Sequence, residues 1–201
     1  RIIRHRTVDA QSDPAGSESL VRVIAGSAKS IPLKYPSKAK IRPTTDAMRE
    51  ALFASLAKRV VDARFADLYA GCGSVGIEAL SRAAASCVFV EQDARCVEAL
   101  RANLEAARLT EGATVAKGPV ERLWARFARE SPGFDIVFAD PPYGLASFAD
   151  LARRLVVDRE GVASGGLVVL QYGALWERMG LPEPSRIKKH GETVMLMYEM
   201  D

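Results

Sequence analysis

The chain has 201 residues, of which 48% are hydrophobic and 26% charged, which is typical of one soluble globular domain with a small appendage. It has no apolar run near the roughly 20 residues of a membrane span and no apolar signal-peptide core, so we expect a cytoplasmic protein. Three cysteines without a C-x-x-C pair and only two histidines argue against a disulfide framework and a metal site.

The charge is unevenly distributed along the chain. The net charge is +3 overall, and residues 1–43 alone carry nine Lys/Arg against three Asp/Glu. Residues 44–150 are mildly acidic, with twelve basic and fifteen acidic side chains. A basic arm on an acidic body predicts an anionic partner at the N-terminal end, whereas residues 1–18 by themselves fit a flexible, solvated tail.

The N-terminal part divides into a tail and an extension. Residues 1–19 are predicted to be flexible, and residues 20–60 to form a hairpin and helix extension. Leu20–Ile24 and Ser30–Leu33 read as a short β-hairpin, and "KYPSKAKIRPTT" as an extended basic segment. N-cap chemistry at 44–46 then predicts a helix to about Val60.

Residues 61–201 alternate between strand and helix patterns, which predicts a parallel sheet covered on both faces. The loops after its strands should converge on one edge. The fold class is therefore α/β, a Rossmann-like, mostly parallel seven-stranded sheet with an antiparallel C-terminal hairpin. The predicted strands are Arg64–Ala70, Cys87–Glu91, Ala113–Ala116, Phe134–Ala139, Gly166–Tyr172, Arg186–Lys189 and Thr193–Glu199. The predicted helices are Ser74–Ala84, Ala94–Leu109, Val120–Arg129 and Ser147–Val157.

The stretch "DLYAGCGSVG" contains Gly71-x-Gly73-x-x-Gly76, followed 20 positions after Gly71 by Glu91. This spacing matches a dinucleotide-binding turn with its ribose-binding acid, yet it serves any adenosyl cofactor equally well. Asp67 at the end of the preceding strand favours a ligand that carries an ammonium or sulfonium over a pyrophosphate. Its alternative role is a structural hydrogen bond at the strand end.

A second motif, Asp140-Pro141-Pro142-Tyr143, follows the apolar strand "FDIVFA". The prolines make the loop rigid and remove two N–H donors, so the loop presents carbonyls and one carboxylate. Such a corner suits an –NH2 group, and Tyr143 offers a flat face for a base. The alternative is a rigid surface turn.

The motifs together resemble the RsmD family of bacterial S-adenosylmethionine-dependent methyltransferases, which act on a guanine N2 of 16S ribosomal RNA. The resemblance covers roughly residues 21–199, and implies a class I methyltransferase fold, S-adenosylmethionine as cofactor without a metal, and 16S RNA or the small ribosomal subunit as partner. The segments that carry it are "VRVIAG", "IRPTTDAMREALF", "DLYAGCGSVGIEALSRAAASCVFVE", "FDIVFADPPY" and "KKHGETVMLMYE".

The resemblance assigns residues to three roles. The catalytic corner is Asp140, Pro141, Pro142 and Tyr143. The cofactor site comprises Asp67, Tyr69, Ala70, Gly71, Gly73, Glu91, Gln92 and Val120. The RNA-binding set is Arg22, Lys29, Lys34, Lys38, Lys40, Arg42, Thr44 and Arg49.

Two positions depart from the family pattern. Ala83 stands where the family usually has glycine, which we interpret as a packing detail. Gly118-Pro119 stands where many relatives carry a polar residue that contacts adenine, so any adenine contact there is expected from backbone groups.

The residues leave three rival functions open. A DNA adenine-N6 methyltransferase can carry the same Asp-Pro-Pro-Tyr motif but usually needs a recognition domain, for which the short crossovers leave no room. The other two are an NAD-dependent oxidoreductase and a non-catalytic RNA-binding protein on the same fold. We expect a monomer that is not associated with a membrane.

Overall fold

The structure is a computed structural model that describes residues 21–36, 46–130, 132–142, 147–173, 179–191 and 193–201. The predicted tail, residues 1–19, lies outside these ranges. So do four predicted RNA-binding residues and one predicted catalytic residue: Lys38, Lys40, Arg42, Thr44 and Tyr143.

Seven strands form one sheet in the order β3-β2-β1-β4-β5-β7-β6. The first five strands of that order run parallel, β7 is antiparallel to β5, and β6 is antiparallel to β7. The predicted mostly parallel sheet with a C-terminal hairpin is confirmed. The strands are β1 (Arg64–Leu68), β2 (Ser86–Glu91), β3 (Ala113–Lys117), β4 (Phe134–Ala139), β5 (Val162–Gly173), β6 (Arg186–His190) and β7 (Thr193–Glu199).

Helices cover both faces of this sheet. The first face packs against α1 to α3, and the second against α4 and α5. Fully buried aromatic rings such as Phe53 and Phe89 on the first face and Trp124 on the second anchor the two layers. The helices are α1 (Asp46–Leu56), which a 3-10 turn (Ala57–Val60) continues, α2 (Ser74–Ser81), α3 (Ala94–Ala107), α4 (Val120–Glu130) and α5 (Phe148–Val156).

The sheet register aligns the carboxyl ends of four strands. Leu68 pairs with Val90 on one side and with Ala139 on the other, and Ala139 pairs with Leu170. The loops after β1, β2, β4 and β5 therefore meet at one side of the sheet, which we call the carboxyl edge. Ligands bind at this edge in open α/β sheets.

The described part of the extension, residues 21–36, packs on the first face of the sheet. Val21, Val23 and Leu33 are buried in the same cluster as α1 and α2. The predicted hairpin is reduced to a single antiparallel bridge between Arg22 and Pro32. The N–H of Val23 donates to the carbonyl of Ile31 at 3.0 Å and the N–H of Leu33 to the carbonyl of Val21 at 2.8 Å, so Pro32, which has no N–H, stands where this pairing requires none.

Three other predicted boundaries differ by three or four residues, whereas the rest agree within about two. The helix predicted to reach Val60 leaves α geometry at Ala57, where φ is +47°. The helix predicted to reach Ala84 ends at Ser81. Strand β5 begins at Val162, four residues earlier than predicted, because Val162 pairs with Phe134 ahead of an irregularity in the register.

The early end of α2 gives Ala83 a backbone role. Ala83 has φ +70°, a left-handed conformation that glycine adopts readily and alanine does not. The interpretation of Ala83 as a packing detail is therefore wrong, since the residue is exposed and the constraint lies in its backbone.

Replacing Ala83 by glycine is expected to stabilise the fold. Glycine relieves the left-handed strain of the folded state but increases the entropy of the unfolded chain. The first effect is larger, so the free energy of unfolding should rise by about 0.5–1 kcal/mol, which corresponds to a rise in Tm of roughly 1–4 °C. Thermal unfolding measures it, with Ala85→Gly as the matched control. Ala85 is also exposed but has no positive φ, so its variant should melt lower, and an equal shift in both variants would contradict the account.

Candidate active site

The turn between β1 and α2 needs its glycines for two reasons. Gly71 and Gly73 have φ of +54° and +84°, which other residues adopt only with strain. A Cβ on Gly73 would lie 2.1 Å from Leu100 Cδ1, and one on Gly76 would lie 2.3 Å from Phe89 Cε1. The turn therefore packs tightly against α3 and β2, and its position at the carboxyl edge is fixed.

Glu91, the last residue of β2, organises the loops around this turn. One carboxylate oxygen accepts the N–H of Gly71 at 2.8 Å and the other accepts the N–H of Asp93 at 2.7 Å. The side chain is 7% exposed. Each carboxylate oxygen has a second lone pair, so Glu91 can hold the turn and still accept hydrogen bonds from a ligand.

Asp67 performs the structural role that the sequence left as an alternative. Its Oδ2 accepts the N–H of Gly76 at 2.8 Å, in the first turn of α2. The carboxyl is 2% exposed, and burial raises its pKa well above the usual range, with Asp140 and Glu91 adding to the rise. The opposing hydrogen bond from Gly76 favours the ionised form. A cationic ligand would favour it further.

The other four predicted cofactor residues surround the turn. Tyr69 has φ +61° and donates its hydroxyl to Glu121 at 2.8 Å. Ala70 donates its N–H to the carbonyl of Val90 at 3.0 Å. Gln92 is exposed at the edge, whereas Val120, at the start of α4, is 2% exposed. The structure thus brings all the predicted cofactor residues to the carboxyl edge.

The second motif lies beside the turn, at the end of β4. The N–H of Asp140 donates to the carbonyl of Leu68, the last residue of β1. Pro141 is buried and Pro142 exposed. The Asp140 carboxylate accepts a 2.9 Å hydrogen bond from Nε2 of Gln171, on β5. The Asp140 corner and the glycine turn are therefore neighbours at the ends of adjacent strands.

Gln171 is a site residue that the sequence analysis missed. It is 7% exposed, and its Oε1 is buried without a hydrogen-bond partner among the described residues. A buried amide oxygen that the described part of the chain leaves without a donor, beside the motif, makes Gln171 a candidate site residue. The detectable signal was one amide inside the apolar run "LVVLQY".

Aromatic side chains of the second face pack together near the ends of β1 and β5. Phe148, at the start of α5, is fully buried, stacks on Tyr172 with ring centroids 5.3 Å apart and meets Tyr69 edge to face at 6.1 Å. Glu121 accepts hydrogen bonds from Tyr69 and from Ser147, which precedes α5. These contacts tie the loop after β1 to α4 and α5.

The extension also reaches the glycine turn. Asn103, buried on α3, accepts the N–H of Lys34 at 2.7 Å and donates to the carbonyls of Lys34 and Cys72 at 3.0 Å each. The side chains of Tyr35 and Ser74 are hydrogen-bonded, and burial raises the pKa of Tyr35 to about 12. Sequence periodicity could not reveal these links, since Asn103 lies on the apolar face of its helix.

The described members of the predicted RNA-binding set fall into two groups. Arg22, Lys29 and Lys34 are exposed. Arg49 is fully buried, and its guanidinium donates to the carbonyl of Arg22 at 2.6 Å and to Asp46 at 2.8 Å. Arg49 therefore links α1 to the extension and is not on the surface, where phosphate would be met.

Neither a metal site nor a membrane-spanning helix is found among the described residues. They contain no group of three or more His, Cys, Asp or Glu side chains arranged to hold a metal ion. None of the helices within the described ranges combines the length and the apolar character that crossing a membrane requires.

Comparisons with known proteins agree with this geometry. The family model described as Conserved hypothetical protein 95 matches residues 21–199. Ribosomal RNA small subunit methyltransferase D of Escherichia coli (strain K12) is 37% identical over 175 residues, which cover 87% of this chain and 84% of that protein. The protein of the same name from Haemophilus influenzae is 29% identical over 151 residues, 75% of this chain and 78% of that protein.

Solved structures give the same result. A hypothetical protein of Thermus thermophilus superposes with a TM-score of 0.75 at 32% identity, covering 90% of this chain and 100% of that chain. A T. thermophilus 16S rRNA N2 methyltransferase (RsmC) in complex with AdoMet and guanosine has a TM-score of 0.62 at 24% identity. The superposition covers 82% of this chain and 45% of that chain. This second likeness shows the fold alone. The chain therefore has a Rossmann-like class I methyltransferase fold and belongs to the RsmD family, as its motifs predicted.

Proposed function

We propose that this protein transfers a methyl group from S-adenosylmethionine to the exocyclic N2 amine of a guanine in small-subunit ribosomal RNA. The observation that carries the proposal is the Asp140-Pro141-Pro142 corner, which Gln171 holds beside the glycine turn at one sheet edge. The Escherichia coli relative, whose name gives small-subunit rRNA as its substrate, supports the RNA assignment.

The residues at the carboxyl edge fit S-adenosylmethionine. The ligand carries ribose hydroxyls, for which Glu91 keeps acceptor capacity, and an ammonium and a sulfonium, which the buried carboxylate of Asp67 would stabilise. The donor set is therefore complementary to a cationic adenosyl compound. A pyrophosphate beside the turn would be repelled by an ionised Asp67, which disfavours the NAD-dependent alternative, whereas Glu91 fits the ribose of either cofactor.

The residues that would hold the cofactor are those of the glycine turn and Glu91, with Gln92 and Val120 at its adenosyl end. When bound, S-adenosylmethionine supplies a methyl group activated by its positively charged sulfur. The chain's own contribution is to hold the acceptor amine in position, since no covalent nucleophile is required.

The corner acts on the amine through hydrogen-bond acceptors. An exocyclic base amine is conjugated with its ring, so its lone pair is weakly nucleophilic. The Asp140 carboxylate and the Pro141 carbonyl would accept its two hydrogens and draw the nitrogen toward tetrahedral geometry. The carboxylate also stabilises the positive charge that develops on nitrogen during transfer. Tyr143 would hold the plane of the base.

A substrate assay separates this function from the rival functions. With tritiated S-adenosylmethionine, label should enter small ribosomal subunits or their RNA and not duplex DNA. Label in duplex DNA alone would favour an adenine-N6 methyltransferase. For the oxidoreductase alternative, a rise in Tm with NAD but not with S-adenosylhomocysteine would contradict the proposal.

A further inference from the structure

We propose that the tip of strand β6 is a second RNA-docking surface, which binds the phosphate backbone of the substrate beside the active site. This surface consists of Lys188, Lys189 and His190, and we call it the 188–190 corner. The inference rests on the proposed function, because it assigns a contact to the same RNA substrate. It adds a surface outside the N-terminal basic arm.

The sheet register locates the 188–190 corner at the carboxyl edge. His190 pairs with Thr193, and Thr193 pairs with Gly173 at the carboxyl end of β5. Strand β5 in turn lies next to β4, which ends at the Asp140 corner. Three strand spacings separate β4 from β6, so the two corners lie roughly 15 Å apart along the sheet. An RNA strand entering the active site would pass this tip.

The charge of β6 suits a polyanion. The strand Arg186–His190 contains no acidic residue, and Lys189 and His190 are exposed while Lys188 is half-buried. Among the ion pairs of the described residues, none involves these side chains. Lysine side chains that have no carboxylate partner within the described ranges can neutralise phosphates and release counterions.

Part of the 188–190 corner shares a face with the N-terminal extension. Lys188 pairs directly with Met195, so the two side chains point to the same face of the sheet, and Met195 is buried in the cluster that contains Val21 and Val23 of the extension. Lys188 and the basic groups of the extension therefore border one side of the active site, which favours one continuous track for RNA over two unrelated patches. Lys189 pairs with Val194 of the second face, so it carries positive charge to the other side of the strand tip.

Lysines on an edge strand have a second known effect, because they prevent edge-to-edge pairing between molecules. That effect requires charge somewhere along the outer strand of the sheet, and it does not require the charge to lie at the carboxyl end of the neighbouring parallel strands. It predicts a change in aggregation when the lysines are removed, whereas RNA docking predicts a change in RNA affinity and in its salt dependence. The two can be separated in one set of variants.

The test compares Lys188→Ala/Lys189→Ala with a control that removes the same charge elsewhere. The control is Lys58→Ala/Arg101→Ala, at two exposed positions, one in the 3-10 turn before β1 and the other on α3. Equilibrium binding to 16S RNA is measured over a series of salt concentrations. Steady-state methylation of small ribosomal subunits and affinity for S-adenosylhomocysteine are measured in parallel.

The corner variant should raise the KM for RNA about tenfold at low salt, with kcat and S-adenosylhomocysteine affinity unchanged. The slope of log K against log salt should fall by about 0.7–0.9 for each phosphate that the variant no longer neutralises. The control should retain the wild-type slope. Unchanged RNA affinity in the corner variant, or increased aggregation alone, would overturn the docking surface. If the wild type itself methylates no RNA, the proposed function fails instead.

Discussion

Replacing Asp140 by alanine is expected to lower kcat for RNA methylation roughly 100- to 1,000-fold while S-adenosylhomocysteine binds as before. The loss has this size because one preorganised group that stabilises developing charge is removed. Cofactor affinity is retained because Glu91 and the glycine turn do not depend on Asp140 for their hydrogen bonds. Single-turnover kinetics and calorimetry measure the two quantities separately.

Asp135→Ala is the matched control for this variant. Asp135 lies at the opposite end of β4, the strand that Asp140 follows, and its carboxylate pairs with Arg64. Its loss should reduce stability modestly and leave kcat unchanged. Equal kcat values for Asp140→Ala and the wild type would show that the Asp-Pro-Pro-Tyr corner is not the active site.

Gln171→Leu tests how Asp140 is held. Leucine removes the N–H donor to Asp140 together with the unpaired Oε1, so kcat should fall roughly 10- to 100-fold without a loss of thermal stability. A purely structural glutamine would give the reverse pattern, in which Tm falls and kcat does not.

Replacing Glu78 by alanine is expected to release the N-terminal extension from the domain. Glu78 is fully buried in α2, and its carboxylate accepts the N–H groups of Ile24 at 2.7 Å and Ala25 at 3.0 Å and the Nε–H of Arg82 at 2.7 Å. Its removal leaves two backbone donors and a partly buried guanidinium without their acceptor, which costs about 3–5 kcal/mol.

Hydrogen exchange measures this release directly. The amides of Ile24 and Ala25 should lose protection by roughly tenfold or more, while the amides of β1 and β4 change less, because the extension can open locally. RNA affinity should fall with it. Glu98→Ala, at an exposed position on α3, is the control and should stay within about 0.5 kcal/mol of the wild type. Unaltered protection at Ile24 and Ala25 would contradict this account of the extension.

Sequence patterns predicted the sheet well because the patterns reflect burial. Short apolar runs such as "CVFVE" and "FDIVFA" identify strands covered on both faces, and the alternation with helices sets their parallel order. The boundaries were less accurate where single residues adopt left-handed backbone, as Ala57 and Ala83 do. An alanine in the sequence does not indicate a left-handed conformation, because tertiary packing imposes it.

The site was predictable where its residues follow strands and unpredictable where it depends on long-range pairing. Glycine spacing and the Asp-Pro-Pro motif pointed to residues that lie together at the carboxyl edge, but Gln171 and Asn103 have hydrogen-bond partners 31 to 69 positions away. The burial of Arg49 could not be predicted either, since basic side chains are usually exposed and this one is fully buried. Charge counts alone do not distinguish these cases.

The most direct test of the central claim is the identity of the methylated nucleoside. Small ribosomal subunits from a strain that lacks this gene are incubated with the protein and isotope-labelled S-adenosylmethionine, and their RNA is digested to nucleosides for mass spectrometry. The account predicts label in N2-methylguanosine from one site of 16S RNA, and its absence with the Asp140→Ala variant. Label in another nucleoside, or no label in RNA while duplex DNA is methylated, would contradict it.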